Sequence, residues 1–309
     1  MKKAISFILT ILLVVLAGAS FYMLDYALAP EENRGDTEAH LAQFMEDHPE
    51  ARAWVDSLMQ TGGLRDTFVI MPSGERHHAF FACHPSGRGR TALVLHGWRD
   101  TPLKFLHLAR IYYQNLGFNI LLPDLHAHGL SQGKAIGMGW KERKDVLRWM
   151  EVAGETFRCD SFVVHGVSMG AATAMNIAGE EMPSFVKDIR FVEDCGYTSV
   201  WDEFAYELRR DFRLPPFPLM YSASLLCRLR YGWSFGEASP IKQVGKCRWP
   251  MLFIHGDNDD FVPSWMVYSL YEAKPEPKQL WITPDCGHND SYARHTDKYI
   301  EAIVQEVSR

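Results

Sequence analysis

The segment His165-Gly166-Val167-Ser168-Met169-Gly170 reads as G-x-S-x-G. A serine hydroxyl is a poor nucleophile at neutral pH; it needs a base, and the base needs a third group to orient it. Both occur downstream. An acidic turn, His255-Gly256-Asp257-Asn258-Asp259-Asp260, follows an apolar run at 251–254. Gly287-His288 follows another such run at 279–282. A serine, a carboxylate and a histidine in that order could attack a carbonyl carbon through a covalent acyl intermediate.

The elements around Ser168 fit that chemistry. Residues 161–164 predict a strand, and the Ala-rich run 171–178 predicts a helix. On a tight strand-to-helix turn, flanking side chains would collide, and Gly166 and Gly170 remove the collision. The helix N-terminus then aims its free N–H groups, with that of Met169 among the first, at a developing oxyanion.

The same alternation runs through the body. Apolar runs at 92–95, 118–122, 162–164, 189–192, 251–254 and 279–282 alternate with helical patterns at 103–116, 140–152, 171–178 and 291–307. Such alternation predicts an α/β fold, a mainly parallel central sheet with helices on both faces. Before it come a helical pattern at 38–60 and a hairpin pairing 67–71 with 77–83 around Pro72-Ser73-Gly74-Glu75. Between 198 and 246 the alternation lapses into two helical stretches, 201–212 and 218–229. That insertion is expected to form a cap over the site, with Trp201, Phe204, Phe217, Leu219, Met220, Tyr221, Leu225, Leu226 and Trp233 available to bury an acyl chain.

Four ordered motifs make the chain resemble the α/β-hydrolase superfamily. His96-Gly97-Trp98 resembles the oxyanion loop of that family. Asp124 to Gly133 resembles its D-x-x-G-H-G-x-S-x-G signature, with Ala127 where a glycine is usual. The segment from His255 to Pro263 resembles the acid loop, which selects Asp259 over Asp257 and Asp260, and Gly287-His288 resembles the histidine turn. The resemblance covers about residue 67 to the C-terminus. It implies the α/β-hydrolase fold, a helical cap at about 198–246, and a Ser168, Asp259, His288 triad. The backbone N–H groups of Trp98 and Met169 would form the oxyanion hole, and no cofactor is implied.

Other readings of the same residues remain. Glu193 and Asp194 end another strand, where some members carry the acid. His165 and His255 read as structural histidines, and His96, His126 and His128 as groups that hold loop backbone. No H-E-x-x-H or comparable ligand spacing occurs, so no metal site is expected. The cysteines read as small buried hydrophobes. Arg209, Arg210, Arg213, Arg228 and Arg230 in the insertion fit either a solvated cap or a lid dipping into a lipid surface.

The first thirty residues are a separate object. Lys2 and Lys3 precede a run from Ile5 to Leu24 that carries no charge. As a helix, 20 residues span about 30 Å, the hydrocarbon thickness of a bilayer. The run predicts a signal anchor that leaves the lysines cytoplasmic and the body outside, with Tyr22 and Tyr26 at the outer interface. Ala17-Gly18-Ala19 offers the alternative of cleavage and secretion. Residues 31–66 would form a helical extension and 67–309 the catalytic domain.

Composition narrows the remainder. The 309 residues carry Lys+Arg 32 against Asp+Glu 38, a net charge of −6, and 47% hydrophobic residues. That excludes a disordered chain and disfavours nucleic acid as a partner. The expected activity is hydrolysis of a small-molecule carboxylic ester by a membrane-bound serine hydrolase. A serine (amino)peptidase on the same fold and a non-catalytic binding protein are the alternatives.

Overall fold

The computed structural model describes residues 1–32 and 34–308. Its strands are β1 (Leu64–Ile70), β2 (Arg76–Ala82), β3 (Arg90–Leu95), β4 (Asn119–Pro123), β5 (Ser161–Val167), β6 (Asp188–Asp194), β7 (Met251–Gly256) and β8 (Lys278–Thr283). They join in one sheet, in the order β1-β2-β4-β3-β5-β6-β7-β8. The hairpin β1–β2 and the β2–β4 pair are antiparallel, and every later pair is parallel. The expected α/β fold with a mainly parallel sheet is the fold observed.

The helices are α1 (Lys2–Leu28), α2 (Thr37–Asp47), α3 (Arg52–Gln60), α4 (Leu106–Arg110), α5 (Glu142–Phe157), α6 (Met169–Ala178), α7 (Val200–Phe212), α8 (Leu219–Tyr231), α9 (Pro240–Val244), α10 (Trp265–Ala273), α11 (Ser291–Arg294) and α12 (Thr296–Ser308). Three patterns that read as single helices are broken. Pro49 splits the first into α2 and α3, because its ring clashes with the preceding turn and it brings no N–H. The pattern at 103–116 shortens to α4 between a 3-10 turn and a π turn, and the last helix is interrupted at His295. Helices α9 and α10 were not visible in the apolar spacing.

Alternating residues of the strands feed two cores. Phe162 and Val164 of β5 point into one with Trp149 and Met150 of α5 and Met175 of α6. Val163 points into the other with Phe44, Leu106, Tyr112, Tyr299 and Ile303. Every strand from β3 to β7 is thus sandwiched, and its carboxyl end is the free edge on which loops can build a site.

Helices α7 to α9 lie between β6 and β7 and form the insertion. Ser199 caps α7 by accepting a 3.0 Å hydrogen bond from the N–H of Asp202. Among the described residues, α1 is the one helix long and apolar enough to cross a membrane. Only Ser20, Leu24 and Leu28 of α1 are buried, and they pack its C-terminal third against the body alongside α8.

Candidate active site

Ser168 stands between β5 and α6 with φ 55° and ψ −116°, a backbone conformation that a non-glycine residue adopts only under constraint. The constraint comes from close packing. A Cβ on Gly166 would lie 2.0 Å from the carbonyl oxygen of Gly170, and one on Gly170 would lie 2.1 Å from that of Leu95. Only glycine lets the turn approach β3 so closely. The Ser168 N–H donates to the carbonyl of Asp194 at 2.8 Å, tying the turn to β6.

His288 and Asp259 arrive on the loops after β8 and β7. A Cβ on Gly256 would meet the Cys286 carbonyl oxygen at 2.3 Å, so the two loops touch through backbone. Nδ1 of His288 is 2.8 Å from Oδ2 of Asp259, and its Nε2 is 2.9 Å from the Ser168 hydroxyl. The other oxygen of Asp259 accepts from the N–H groups of Phe261 and Val262 at 2.9 and 2.8 Å. A carboxylate so fixed accepts a hydrogen bond from Nδ1–H, which keeps its proton, and leaves Nε2 to accept the hydroxyl proton of Ser168. Phe261 covers the imidazole with its ring centroid 4.9 Å away.

Of the residues expected at the site, Ser168, Asp259 and His288 are brought together. Met169 opens α6 directly after the serine. Gly97, the neighbour of Trp98, faces Ser168: a Cβ there would stand 3.6 Å from that of the serine. Asp194 turns elsewhere and accepts from the Tyr299 hydroxyl at 2.7 Å. Burial pushes its carboxyl up to about 7.

Of the other histidines, His96, His128, His165 and His255 hold structure, whereas the His126 imidazole faces Glu75 at 3.4 Å rather than loop backbone. Tyr112 and Tyr299 both bond His165 at 3.0 Å, and burial pulls its imidazole down to about 3. Nδ1 of His96 donates to Gly97 and its Nε2 accepts from Leu125. His128 bridges His126 and Arg99 in the same way. His255 fastens the acid loop through the Val262 carbonyl at 2.8 Å. All six cysteines are free, and five are buried.

Two groupings of ligand-type side chains stand close in space, and the first was not legible in the spacing. Donor atoms of Glu75, His77 and His126 lie within 4.8 Å of one another, as do those of Cys195, Asp259 and His288. The first set, with Asp145 3.7 Å from His77 Nδ1, is drawn from β2 and its turn, the loop after β4, and α5. Side chains from such separate elements share no sequence period.

A pocket opens over Ser168. Its walls include Trp98, Met138 and Tyr197 from the body and Leu208, Phe212, Leu219, Met220 and Ala223 from the cap. Phe204, Leu219 and Met220 line it as the apolar content of the insertion suggested. Trp201, Phe217, Tyr221, Leu225, Leu226 and Trp233 do not; Phe217, just before α8, and Tyr221 and Leu225 on it are exposed, so α8 is apolar on two faces. Glu203, Glu207 and Asp211, spaced by four on α7, also line the pocket. Burial pushes Glu203 well above the usual carboxyl range and Glu207 up to about 7. Their helical spacing was readable in the sequence, but which face of α7 meets the site was not. Met23, Tyr26 and Ala27 of α1 complete the wall.

The sequence model of the family described as "Alpha/beta hydrolase family" matches residues 92–303. The chain is similar to the uncharacterised protein YqkD of Bacillus subtilis, 33% identical over 225 residues that make up 72% of each chain. It is also similar to an uncharacterised membrane protein of Saccharomyces cerevisiae, 24% identical over 189 residues, 60% of each chain. Among solved structures, it resembles the Pyrococcus furiosus esterase Pf2001, with a TM-score of 0.63, 20% identity, and coverage of 80% of this chain and 92% of that one. An acylaminoacyl peptidase is similar with a TM-score of 0.59 and 13% identity, over 80% of this chain and 41% of the other. At such identities these structures share the fold.

Proposed function

The chain belongs to the alpha/beta hydrolase family, and on that premise we propose that it is a membrane-anchored serine hydrolase acting on carboxylic esters. The observation that carries the reading is the relay from Ser168 Oγ through His288 to Asp259, with contacts of 2.9 and 2.8 Å. Ser168 attacks the ester carbonyl while His288 Nε2 takes its proton. The oxyanion of the tetrahedral intermediate rests on the backbone N–H groups of Met169 and Trp98, each worth about 3 kcal/mol in sites of this kind. Protonated His288 then gives its proton to the departing alcohol, leaving an acyl ester on Ser168. Water, deprotonated by the same nitrogen, attacks that ester, and the carboxylic acid leaves with the serine restored.

The apolar pocket walls support an acyl chain as the group held. A second reading, a serine peptidase, draws on Glu203, Glu207 and Asp211, which could receive a substrate ammonium. Assaying nitrophenyl esters of graded length beside aminoacyl anilides tests both. Ester turnover that rises with acyl length and vanishes in Ser168→Ala is the expected result. Turnover confined to the anilides would replace the ester reading with the peptidase one.

The membrane part of the proposal rests on α1 and on the similarity to a membrane protein of yeast. The helix spans the bilayer once, with Lys2 and Lys3 cytoplasmic and the body outside. The mature chain should keep Lys2 and Lys3 and sediment with membranes. A soluble chain beginning at Ser20 would overturn the anchor.

A further inference from the structure

The anchor is also a wall of the pocket. Met23, Tyr26 and Ala27 of α1 line the same space as Ser168. Tyr26 and Asp211 are both exposed and both line it, so the pocket reaches the surface between α1 and α7. The rings of Tyr26 and Phe212 meet there edge to face at 5.7 Å.

Helix α8 runs beside α1. Ser20 and Ser222 share a hydrogen bond of 2.7 Å, and Asp25 pairs with Arg230 at 3.0 Å. The outer side of this part of the cap carries Phe217, Tyr221, Leu225 and Leu229, one every four residues, 72%, 59%, 59% and 76% exposed. This ridge is continuous with an apolar helix, and a solvated surface rarely leaves such a row uncovered.

The contacts with α1 set the depth of that ridge. If the uncharged run from Ile5 to Leu24 fills the hydrocarbon layer, Ser20 lies four residues, about 6 Å, inside its outer boundary. Ser222 is held at that level, while the Asp25–Arg230 pair falls among the head groups. Arg228 and Arg230 at this end of α8 suit that layer. Inside the pocket the acidic groups are Glu203, Glu207 and Asp211, with Glu203 held in its neutral form by burial, and the described residues lining it include no lysine, arginine or histidine. An anionic head group would meet carboxyl groups and no cationic partner there.

We propose that the outer ridge of α8 is immersed in the bilayer that α1 spans. The pocket takes its substrate directly from that bilayer: a long-chain acyl ester whose alcohol part bears no phosphate or carboxylate. The acyl chain leaves the bilayer between α1 and α7 at the level of Tyr26, at the head-group boundary, and the ester carbonyl comes to Ser168. This inference rests on the membrane-anchored ester-hydrolase reading above.

The test uses the full chain in phosphatidylcholine vesicles, with a Phe217→Glu/Leu225→Glu variant, since neither residue lines the pocket. Hydrolysis of monooleoylglycerol should fall at least tenfold in the variant, while that of water-soluble nitrophenyl acetate stays within twofold. Unchanged rates on both would overturn the proposal, as would a wild-type preference for lysophosphatidic acid over monooleoylglycerol at equal bilayer fraction. If the variant loses both activities through misfolding, wild-type chain photolabelled with a bilayer-confined aryl diazirine decides. Label on the 217–229 peptide supports the proposal, and label on α1 alone overturns it. A wild-type chain that does not react with a fluorophosphonate fails the hydrolase reading itself, which the photolabel does not measure.

Discussion

The indole Nε1 of Trp98 donates a 2.8 Å hydrogen bond to the carbonyl oxygen of Ala27, joining the loop after β3 to the last turn of α1. Arg99 adds a second tie to the Tyr26 carbonyl at 2.9 Å, and its guanidinium lies 4.5 Å over the Trp98 ring. The loop that would bind the oxyanion is therefore braced by the element that would cross the membrane. Trp98→Phe keeps the backbone N–H and an aromatic ring in the pocket wall but removes this bond, worth about 1 kcal/mol. It should lower kcat about fivefold with KM changed less than twofold. Steady-state kinetics on a soluble ester measures the split, and an unchanged kcat would show the tie to be dispensable.

The acid is tested by a pair of variants. Asp259→Asn should lower kcat by about 10⁴, because the imidazole loses the charge that sets its tautomer. Asp194→Asn should stay within about tenfold of wild type, since its partner is Tyr299 rather than His288. Circular dichroism controls for folding in both. The opposite ranking would move the acid to the end of β6.

Acyl length should govern specificity until the pocket is full. Each methylene removed from water contributes about 0.8 kcal/mol, so two should raise kcat/KM about fifteenfold. Met220→Asp, which puts a charge into the pocket wall, should flatten the rise from acetyl to octanoyl esters and leave the acetyl ester nearly unchanged. Phe217, for all its apolar character, faces outward and should not alter the profile of soluble esters. Equal kcat/KM across the wild-type series would exclude the acyl pocket.

A pH dependence follows from Glu207, whose carboxyl burial pushes up to about 7. It holds its proton below that pH and releases it above, placing a charge among apolar walls. The ratio of kcat/KM for octanoyl over acetyl ester should therefore fall as pH rises through 7. In Glu207→Gln the ratio should stay flat over the same range. Taking the ratio cancels the titration of groups that act on both esters.

The parts of this architecture that local pattern dictates were readable before the fold. Gly166 and Gly170 around Ser168 announced a turn that only glycine can make, and the close approaches of 2.0 and 2.1 Å bear out the steric reason. The alternation of apolar runs and helices announced the sheet. What escaped notice is set by contacts between distant segments. Nothing local in residues 23–27 says that they wall a pocket with Ser168, because the contact exists only once α1 packs on α8. The two apolar faces of α8 cannot be ranked by composition, so Phe217 and Leu225 looked as eligible for the pocket as Leu219 and Met220. At Pro49 the missing N–H and the ring clash outweigh the apolar spacing on either side, and the helical pattern breaks there.

The most direct measurement is covalent labelling with a fluorophosphonate, read by mass spectrometry of the intact chain and its peptides. Wild type should gain one adduct, on Ser168, and Ser168→Ala should gain none. His288→Ala should react far more slowly, because the hydroxyl keeps its proton. An adduct on another residue, or equal labelling of the Ser168→Ala chain, would contradict the assignment of Ser168 as the nucleophile.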